Sequence, residues 1–220
     1  MKKFFKILLI FFVILGIGFS SILYFVPGRQ ICLKDETPPK LAFPIQGGDE
    51  NITGFNGFNI SNWGEPGVYH NGIDLVVSPN NWTGILAVAN GTIIEIKSKT
   101  NPYSNPPNAV MYTLKLEIAC GWTAYYVIES YPTTEQEIRL VEDHIFVNVG
   151  DTVQTGDLIA QILVTEHDYI HLHFSLFYNF DVVCPYLYSS TEAQAIYDSL
   201  AAKYNKTVCC TDVDQPGCVD

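Results

Sequence analysis

Four side chains in two short motifs are of the residue types that chemistry at a metal ion requires. The first motif is His70-Asn71-Gly72-Ile73-Asp74, and the second, about a hundred residues later, is His171-Leu172-His173. A zinc ion that takes part in chemistry has three protein ligands and one open position. A His, an Asp and a His could supply the ligands, and a further imidazole beside the metal could transfer protons.

The spacing within each motif indicates how its side chains could meet. In a β-strand, residues i and i+2 point to the same side, so His171 and His173 would project from one face about 7 Å apart. His70 and Asp74 lie in a glycine-containing turn, where a short loop can direct both side chains to one point. These patterns are common by chance when taken singly, and their combination is what suggests a site.

Several other motifs occur around these two, in an order that resembles one family. The family is the lysostaphin-type (LytM-like) zinc endopeptidases, which cut peptide cross-bridges in bacterial cell walls. The matching residues, in chain order, are Phe43-Pro44, Gly47-Gly48, His70 with Gly72, Asp74 and Leu75, Ala87 or Ala89 with Gly91 and Ile93 or Ile94, Val149-Gly150-Asp151 with Val153 and Gly156, and His171 to Phe174.

The resemblance implies a fold and a set of roles. The implied fold is mostly β, a small antiparallel β sandwich (a barrel-sandwich hybrid), over about residues 43–187. His70, Asp74 and His173 would be the ligands of Zn²⁺, and His171 would be catalytic. The implied substrate is the peptide part of peptidoglycan.

One family feature is not found at its expected place. The family has a second catalytic histidine in a Tyr-x-His motif, and if Tyr126 is the matching tyrosine, Ile128 stands at the histidine position. A shifted register would instead bring Glu129 to the metal as a carboxylate base, and His144 is a further alternative. Two functions therefore stay open: a zinc endopeptidase, or a non-catalytic member of the fold that binds wall polymer or regulates a partner hydrolase.

The N-terminal segment has the pattern of a membrane anchor. Lys2, Lys3 and Lys6 precede an uncharged apolar run at residues 7–26, which is long enough to cross a bilayer as a helix. The lysines favour a cytoplasmic N-terminus, which predicts a single-pass protein with its C-terminal domain outside the cytoplasm. A cleaved signal peptide at residues 1–27, followed by secretion, is the alternative.

The remaining composition limits the partners. Beyond residue 27 the chain has 9 Lys and Arg against 23 Asp and Glu, which argues against nucleic-acid binding. Six cysteines lie in that part, and outside the cytoplasm they favour disulfide bonds of undetermined pairing.

Hydrophobic periodicity predicts the elements that position the candidate site. Residues 28–42 read as a linker, and residues 188–220 as a helix, from Thr191 to Tyr204, with a Cys-rich tail. Between them the chain is β-prone. The expected strands are two arms of a hairpin within 84–96 turning at Asn90-Gly91, alternating runs at 110–118 and 171–177, a run at 122–128, and a strand-turn-strand at 146–159.

Overall fold

The computed structural model describes residues 37–38, 40–60, 69–77, 82–101, 109–163 and 169–210. The chain divides into two compact units, Met1–Asp35 and Glu36–Asp220, and all described residues lie in the second. The expected anchor at residues 1–27 lies outside the described residues. Neither helix of the described part has the length and apolarity needed to cross a membrane.

The described residues form ten strands, and eight of them belong to one antiparallel sheet. The order across that sheet is β1-β2-β9-β6-β5-β4-β7, and β10 also pairs with β9. The bounds are β1 Ile52–Asn56, β2 Ile73–Val77, β3 Thr83–Leu86, β4 Gly91–Thr100, β5 Val110–Ala119, β6 Trp122–Glu129, β7 Thr152–Val153, β8 Leu158–Ile162, β9 His171–Tyr178 and β10 Asp181–Val183.

Side-chain alternation gives the large sheet one apolar face. Along β9, Leu172, Phe174 and Leu176 are fully buried, and in the neighbouring β6 Tyr126 and Ile128 are fully buried beside them. Because successive strand residues point to opposite sides, His171, His173 and Ser175 lie on the other face. The apolar face packs into the hydrophobic core and stabilises the sheet, so the opposite face can carry polar groups.

A second layer covers the apolar face. Strands β3 and β8 pair with each other, with Ile85 opposite Ala160, and their buried residues belong to the same core cluster as the large sheet. The backbone N–H of Val88 donates to the buried hydroxyl of Tyr126, at 2.9 Å, which joins the two layers.

The predicted hairpin at residues 84–96 is wrong. Strand β3 pairs with β8, whereas β4 pairs with β5 and β7, so the two segments lie in different sheets. The backbone between them bonds to other parts of the chain: Ala87 N–H donates to Asp157 O, and Val88 donates to Tyr126. Asn90-Gly91 therefore turns the chain from one layer to the other, and a local turn signal cannot tell these two outcomes apart.

Two helices complete the described unit. Helix α1, Glu135–Glu142, begins with a capping box formed by Thr134 and Glu137. Helix α2 is Thr191–Tyr204, as the spacing predicted, and its Tyr197 packs edge-on against Phe43 in the core, with ring centroids 5.0 Å apart.

A disulfide bond fixes the segment after α2. It joins Cys184 to Cys209, and Cys120 and Cys210 are also disulfide-bonded. The expectation of disulfides is confirmed for these four cysteines.

The predicted mostly antiparallel β architecture is confirmed. In the described residues the large sheet is open, with β1 and β7 at its two ends, and does not close into a barrel. The central strand for the candidate site is β9, because β2 and β6 flank it and both predicted motifs meet there.

Candidate metal centre

Strand pairing brings the two motifs together. In the antiparallel pair of β2 and β9, Asp74 lies directly opposite His173. His70 lies in the loop that leads into β2 and is buried, with 7% of its surface exposed. The hundred residues that separate the motifs in sequence thus become one hydrogen-bonded strand pair.

Three donor atoms form a small triangle. His70 Nε2 lies 3.0 Å from Asp74 Oδ1 and 3.1 Å from His173 Nδ1, and His173 Nδ1 lies 2.9 Å from Asp74 Oδ1. These three residues are the one group of metal-binding type found among the described residues.

The triangle matches the requirements of a zinc site. Ligand atoms about 2.1 Å from a tetrahedral zinc lie about 3.4 Å from one another, which is close to the distances seen here. Two imidazoles and one carboxylate are also a donor set that zinc favours. The residues present therefore fit the metal that the motifs predict.

The outer nitrogen of each imidazole is held by a neighbour, which directs the inner nitrogen to the triangle. The Nδ1–H of His70 donates to the carbonyl of Gly57 at 2.7 Å. The Nε2 of His173 pairs with the hydroxyl of Ser175 at 3.0 Å. Such partners fix the tautomer and ring orientation of a ligand histidine.

Gly72 has a steric role in this geometry. A Cβ atom at this position would lie 2.6 Å from His173 Nε2 and 2.7 Å from Ser175 Oγ. Real Cβ atoms do not approach so closely, so a side chain here would displace the His173 ring. The glycine of the first motif is thus explained by the close approach of β9.

The buried charges of the triangle favour each other. Burial alone would raise the pKa of Asp74, but the charge of His171 and hydrogen bonds with His173 and His70 outweigh it and hold that pKa well below its usual value. Burial alone would lower the pKa of His70, and interaction with Asp74 more than reverses this. Asp74 is therefore a carboxylate, the form that binds a metal.

His171 and Glu129 lie beside the triangle as a cross-strand pair. They are directly opposite in the pairing of β6 with β9, and His171 Nε2 lies 3.6 Å from Glu129 Oε1. The same nitrogen lies 3.6 Å from Asp74 Oδ1. The other ring nitrogen of His171 donates to Tyr169 O at 2.9 Å, so Nε2 is the atom that faces the site.

Glu129 is held by groups outside the triangle. Its Oε2 accepts a hydrogen bond from the hydroxyl of Tyr131, at 2.6 Å, and one from the amide of Asn101, at 3.4 Å. Its Oε1 is the oxygen turned to His171. Backbone strain accompanies this arrangement, since Tyr131 and Tyr169 both have left-handed backbones, with φ of 53° and 64°.

Two expectations about the missing histidine are corrected. Ile128 pairs with Leu172 and is fully buried on the core face, so it is not a site position. His144 lies elsewhere: its ring stacks on Trp82 with centroids 3.7 Å apart, and its Nδ1 bonds to Leu140 O. The residue that faces His171 is Glu129, the shifted-register alternative.

A groove of about 350 Å³ opens beside the triangle. Its near end is formed by Asn71, His173 and Ser175, and its far end by lysines of β4 and β5. Tyr125 and Phe177 also line the groove, with ring centroids 4.3 Å apart. Neither the groove's lysines nor its aromatic pair was singled out as functional from the sequence, although the alternation of β4 and β5 could have placed them on the same face as His173.

No family model matches this chain, and no curated protein does. Solved structures do match. One is a chain of the SpoIIQ–SpoIIIAH pore-forming complex, at 18% identity over 73% of this chain and 97% of that chain, with a TM-score of 0.47.

Two further matches are peptidase structures. A mutant catalytic domain of the prophage-encoded M23 protein EnpA from Enterococcus faecalis is 18% identical over 68% of this chain and 95% of that chain, with a TM-score of 0.43. The antimicrobial peptidase lysostaphin from Staphylococcus simulans is 17% identical over 82% of this chain and 60% of that chain, with a TM-score of 0.37. The solved structures to which this chain is similar thus include the lysostaphin-type peptidases that its motifs resemble.

Proposed function

We propose that this protein is a zinc metalloendopeptidase that hydrolyses peptide bonds of bacterial cell-wall peptidoglycan. The observation that carries the proposal is the position of Glu129. Its Oε1, the carboxylate oxygen that Tyr131 and Asn101 do not bind, faces His171 Nε2 beside the three residues that could hold a metal. An apolar residue there could not move a proton, whereas a carboxylate can. The substrate class comes from the motif resemblance, and the groove offers room for a peptide.

His70, Asp74 and His173 would hold the zinc ion. When bound, zinc lowers the pKa of its water towards ~7 and polarises a substrate carbonyl. The protein's own residues then have to bind the peptide and move the protons.

Glu129 and His171 would divide the proton transfers between them. Glu129 Oε1 accepts a proton from the attacking water as the water oxygen bonds to the peptide carbonyl carbon. As the C–N bond breaks, this proton passes to the leaving nitrogen, which releases an amine and a carboxylic acid and restores the Glu129 carboxylate. His171 donates a hydrogen bond from Nε2 to the carbonyl oxygen as that oxygen gains negative charge, and it keeps its proton throughout.

The protein would act outside the cytoplasm. The three lysines before the apolar run at residues 7–26 support a cytoplasmic N-terminus and a membrane-anchored domain on the outer side, and the disulfide bond between Cys184 and Cys209 suits an oxidising compartment. Peptidoglycan lies on that side of the membrane in bacteria.

The second candidate is a non-catalytic protein that binds wall polymer or regulates a partner hydrolase. The absence of the family's Tyr-x-His histidine favours it. This alternative predicts zinc binding and wall binding without bond cleavage, so the two candidates differ in one measurable product.

The test uses the full-length chain with purified peptidoglycan. We expect about one zinc per chain, release of new amino groups by the wild type, and loss of that release in His171→Ala with zinc retained. Metal analysis that finds no zinc in the wild type would contradict both candidates. Wild type that holds zinc but releases no amino groups would leave the binding protein as the function.

A further inference from the structure

We propose that the far end of the groove is a cationic subsite that binds a carboxylate of the peptide substrate about four residues from the bond that is cut. The inference rests on the proposed peptidase function, because it assigns the bond to the His173 end. It names a chemical class of substrate: a peptide with a free carboxylate at this distance.

The length of the groove follows from the strand register. His173 pairs with Val127 across β9 and β6, Val127 with Thr113 across β6 and β5, and Thr113 with Lys97 across β5 and β4. Three strand spacings amount to about 14 Å, and an extended peptide advances about 3.4 Å per residue. A peptide that starts at the triangle and crosses these strands therefore reaches Lys97 after about four residues.

The charge at the far end is opposite to that of the whole chain. Three lysines, Lys97, Lys99 and Lys115, line this part of the groove with one carboxylate, Glu95. The chain as a whole has a formal net charge of −11. Three ammonium groups against one carboxylate leave the subsite positive, so it would attract an anionic group that the rest of the surface repels.

Glu95 organises the lysines without neutralising them all. It pairs with Lys115 at 2.8 Å and with Lys97 at 2.5 Å. Burial alone would raise the pKa of Glu95, and hydrogen bonds from Lys115 and Lys97 outweigh it and lower that pKa. Burial alone would lower the pKa of Lys115, and its hydrogen bond to Glu95 more than reverses this. Glu95 and Lys115 are therefore both charged at neutral pH.

Lys99 is the ammonium group that the ion pairs leave available. It is exposed and lies two residues beyond Lys97, on the same side of β4. Among the described residues it has no ion-pair partner. Lys97 and Lys99 together can thus receive one carboxylate while Lys97 keeps its contact with Glu95.

Aromatic side chains in the groove favour a peptide, which has apolar atoms, over a purely charged chain such as a phosphate polymer. Tyr125 and Phe177 form an aromatic surface along one side of the groove, and Lys115 Nζ lies 4.7 Å above the Tyr125 ring. A groove that has apolar side chains and also a cluster of lysines suits a peptide that has apolar atoms along its length and a carboxylate at its end.

The experiment compares two fluorescent peptides that differ in one group. Both have the same sequence and reach four residues beyond the intended bond; one ends in a carboxylate and the other in an amide. Binding is measured by anisotropy on zinc-loaded full-length His171→Ala protein, so that cleavage does not interfere. We expect the acid to bind about five- to ten-fold more tightly at low salt, and the difference to shrink as salt is added.

Substitutions test whether Lys97 and Lys99 cause the preference for the acid over the amide. The double change Lys97→Gln with Lys99→Gln should bring the acid and the amide to equal affinity. Lys40→Gln removes an exposed lysine that does not line the groove, and it should leave the preference intact.

The outcomes separate this inference from the proposed function. Equal affinity for acid and amide in the lysine-bearing protein would overturn the subsite, even if the wild type cleaves peptidoglycan. Tighter acid binding in a protein that never cleaves would keep the subsite and reject the peptidase. Competition by a phosphate polymer at equal charge, with no acid preference among peptides, would also overturn the subsite as proposed.

Discussion

The triangle of His70, Asp74 and His173 and the pair of His171 and Glu129 lie within one site but are built differently. The triangle joins His70 and Asp74, which lie four residues apart in one short motif, to His173 through the pairing of β2 with β9, with Gly72 leaving the space that His173 occupies. The pair is made by the register between β6 and β9, and neither strand encodes it alone. Removing a triangle residue should therefore remove the metal, whereas removing a pair residue should remove chemistry and leave the metal.

The largest effect is expected from His173→Ala. This change removes the ligand atom that lies within 3.1 Å of both other triangle atoms. We expect loss of bound zinc and loss of all peptidoglycan cleavage, measured by metal analysis and by amino-group release. Zinc retained at wild-type stoichiometry would mean that the assignment of the triangle is wrong.

Glu129→Gln should separate chemistry from metal binding. The amide keeps the size of the side chain but cannot accept a proton, so we expect the rate to fall by about 10²- to 10⁴-fold. Zinc content and binding to peptidoglycan should stay at wild-type levels.

The matched control for this change is Glu117→Gln, which alters a half-buried carboxylate of β5 that does not line the groove. Its rate should equal that of the wild type. An active Glu129→Gln enzyme would reject the role given to Glu129, and an equal loss in both variants would point to sheet stability instead.

Gly72→Ala tests whether the triangle depends on the space beside β9. The new methyl group would meet His173 Nε2 at 2.6 Å, so the ring must move. We expect zinc affinity to fall by about 10- to 100-fold, as for the loss of a group that orients a metal ligand. Titration with a competing chelator measures this, and unfolding temperature of the zinc-free protein shows whether the fold itself has changed. Unchanged affinity would mean that His173 can shift without cost to the site.

The smallest effect is expected from Tyr131→Phe. The change removes the hydroxyl that donates to Glu129 Oε2 and keeps the ring. Loss of a hydrogen bond to a charged group predicts a fall in kcat of about ten-fold. KM and zinc content should not change, because Tyr131 positions Glu129 and is neither one of the three ligand residues nor part of the groove lining. A rise in KM with kcat unchanged would reject this positioning role.

The sequence predicted the parts of the site that depend on spacing within one segment. His171 and His173 share a face because strand residues alternate, and helix α2 lies at Thr191–Tyr204 because its spacing is helical. The partner of His171 could not be found in this way. Reading Tyr126 as the matching tyrosine led to Ile128, but a strand's orientation is decided by which of its faces is buried, and the core took Tyr126 and Ile128 together.

By itself, the sequence determined the candidate ligands, the mostly β character and an acidic charge balance that argues against a nucleic-acid partner. The tertiary structure decided which residues face each other across strands. It places β3 and β4 in different sheets, stacks His144 on Trp82 outside the site, and pairs Glu129 with His171 across β6 and β9. It also aligned three lysines with His173 along one groove. The physical reason is that register and layer are chosen by burial of the whole apolar face, a sum over many distant residues that no local motif contains.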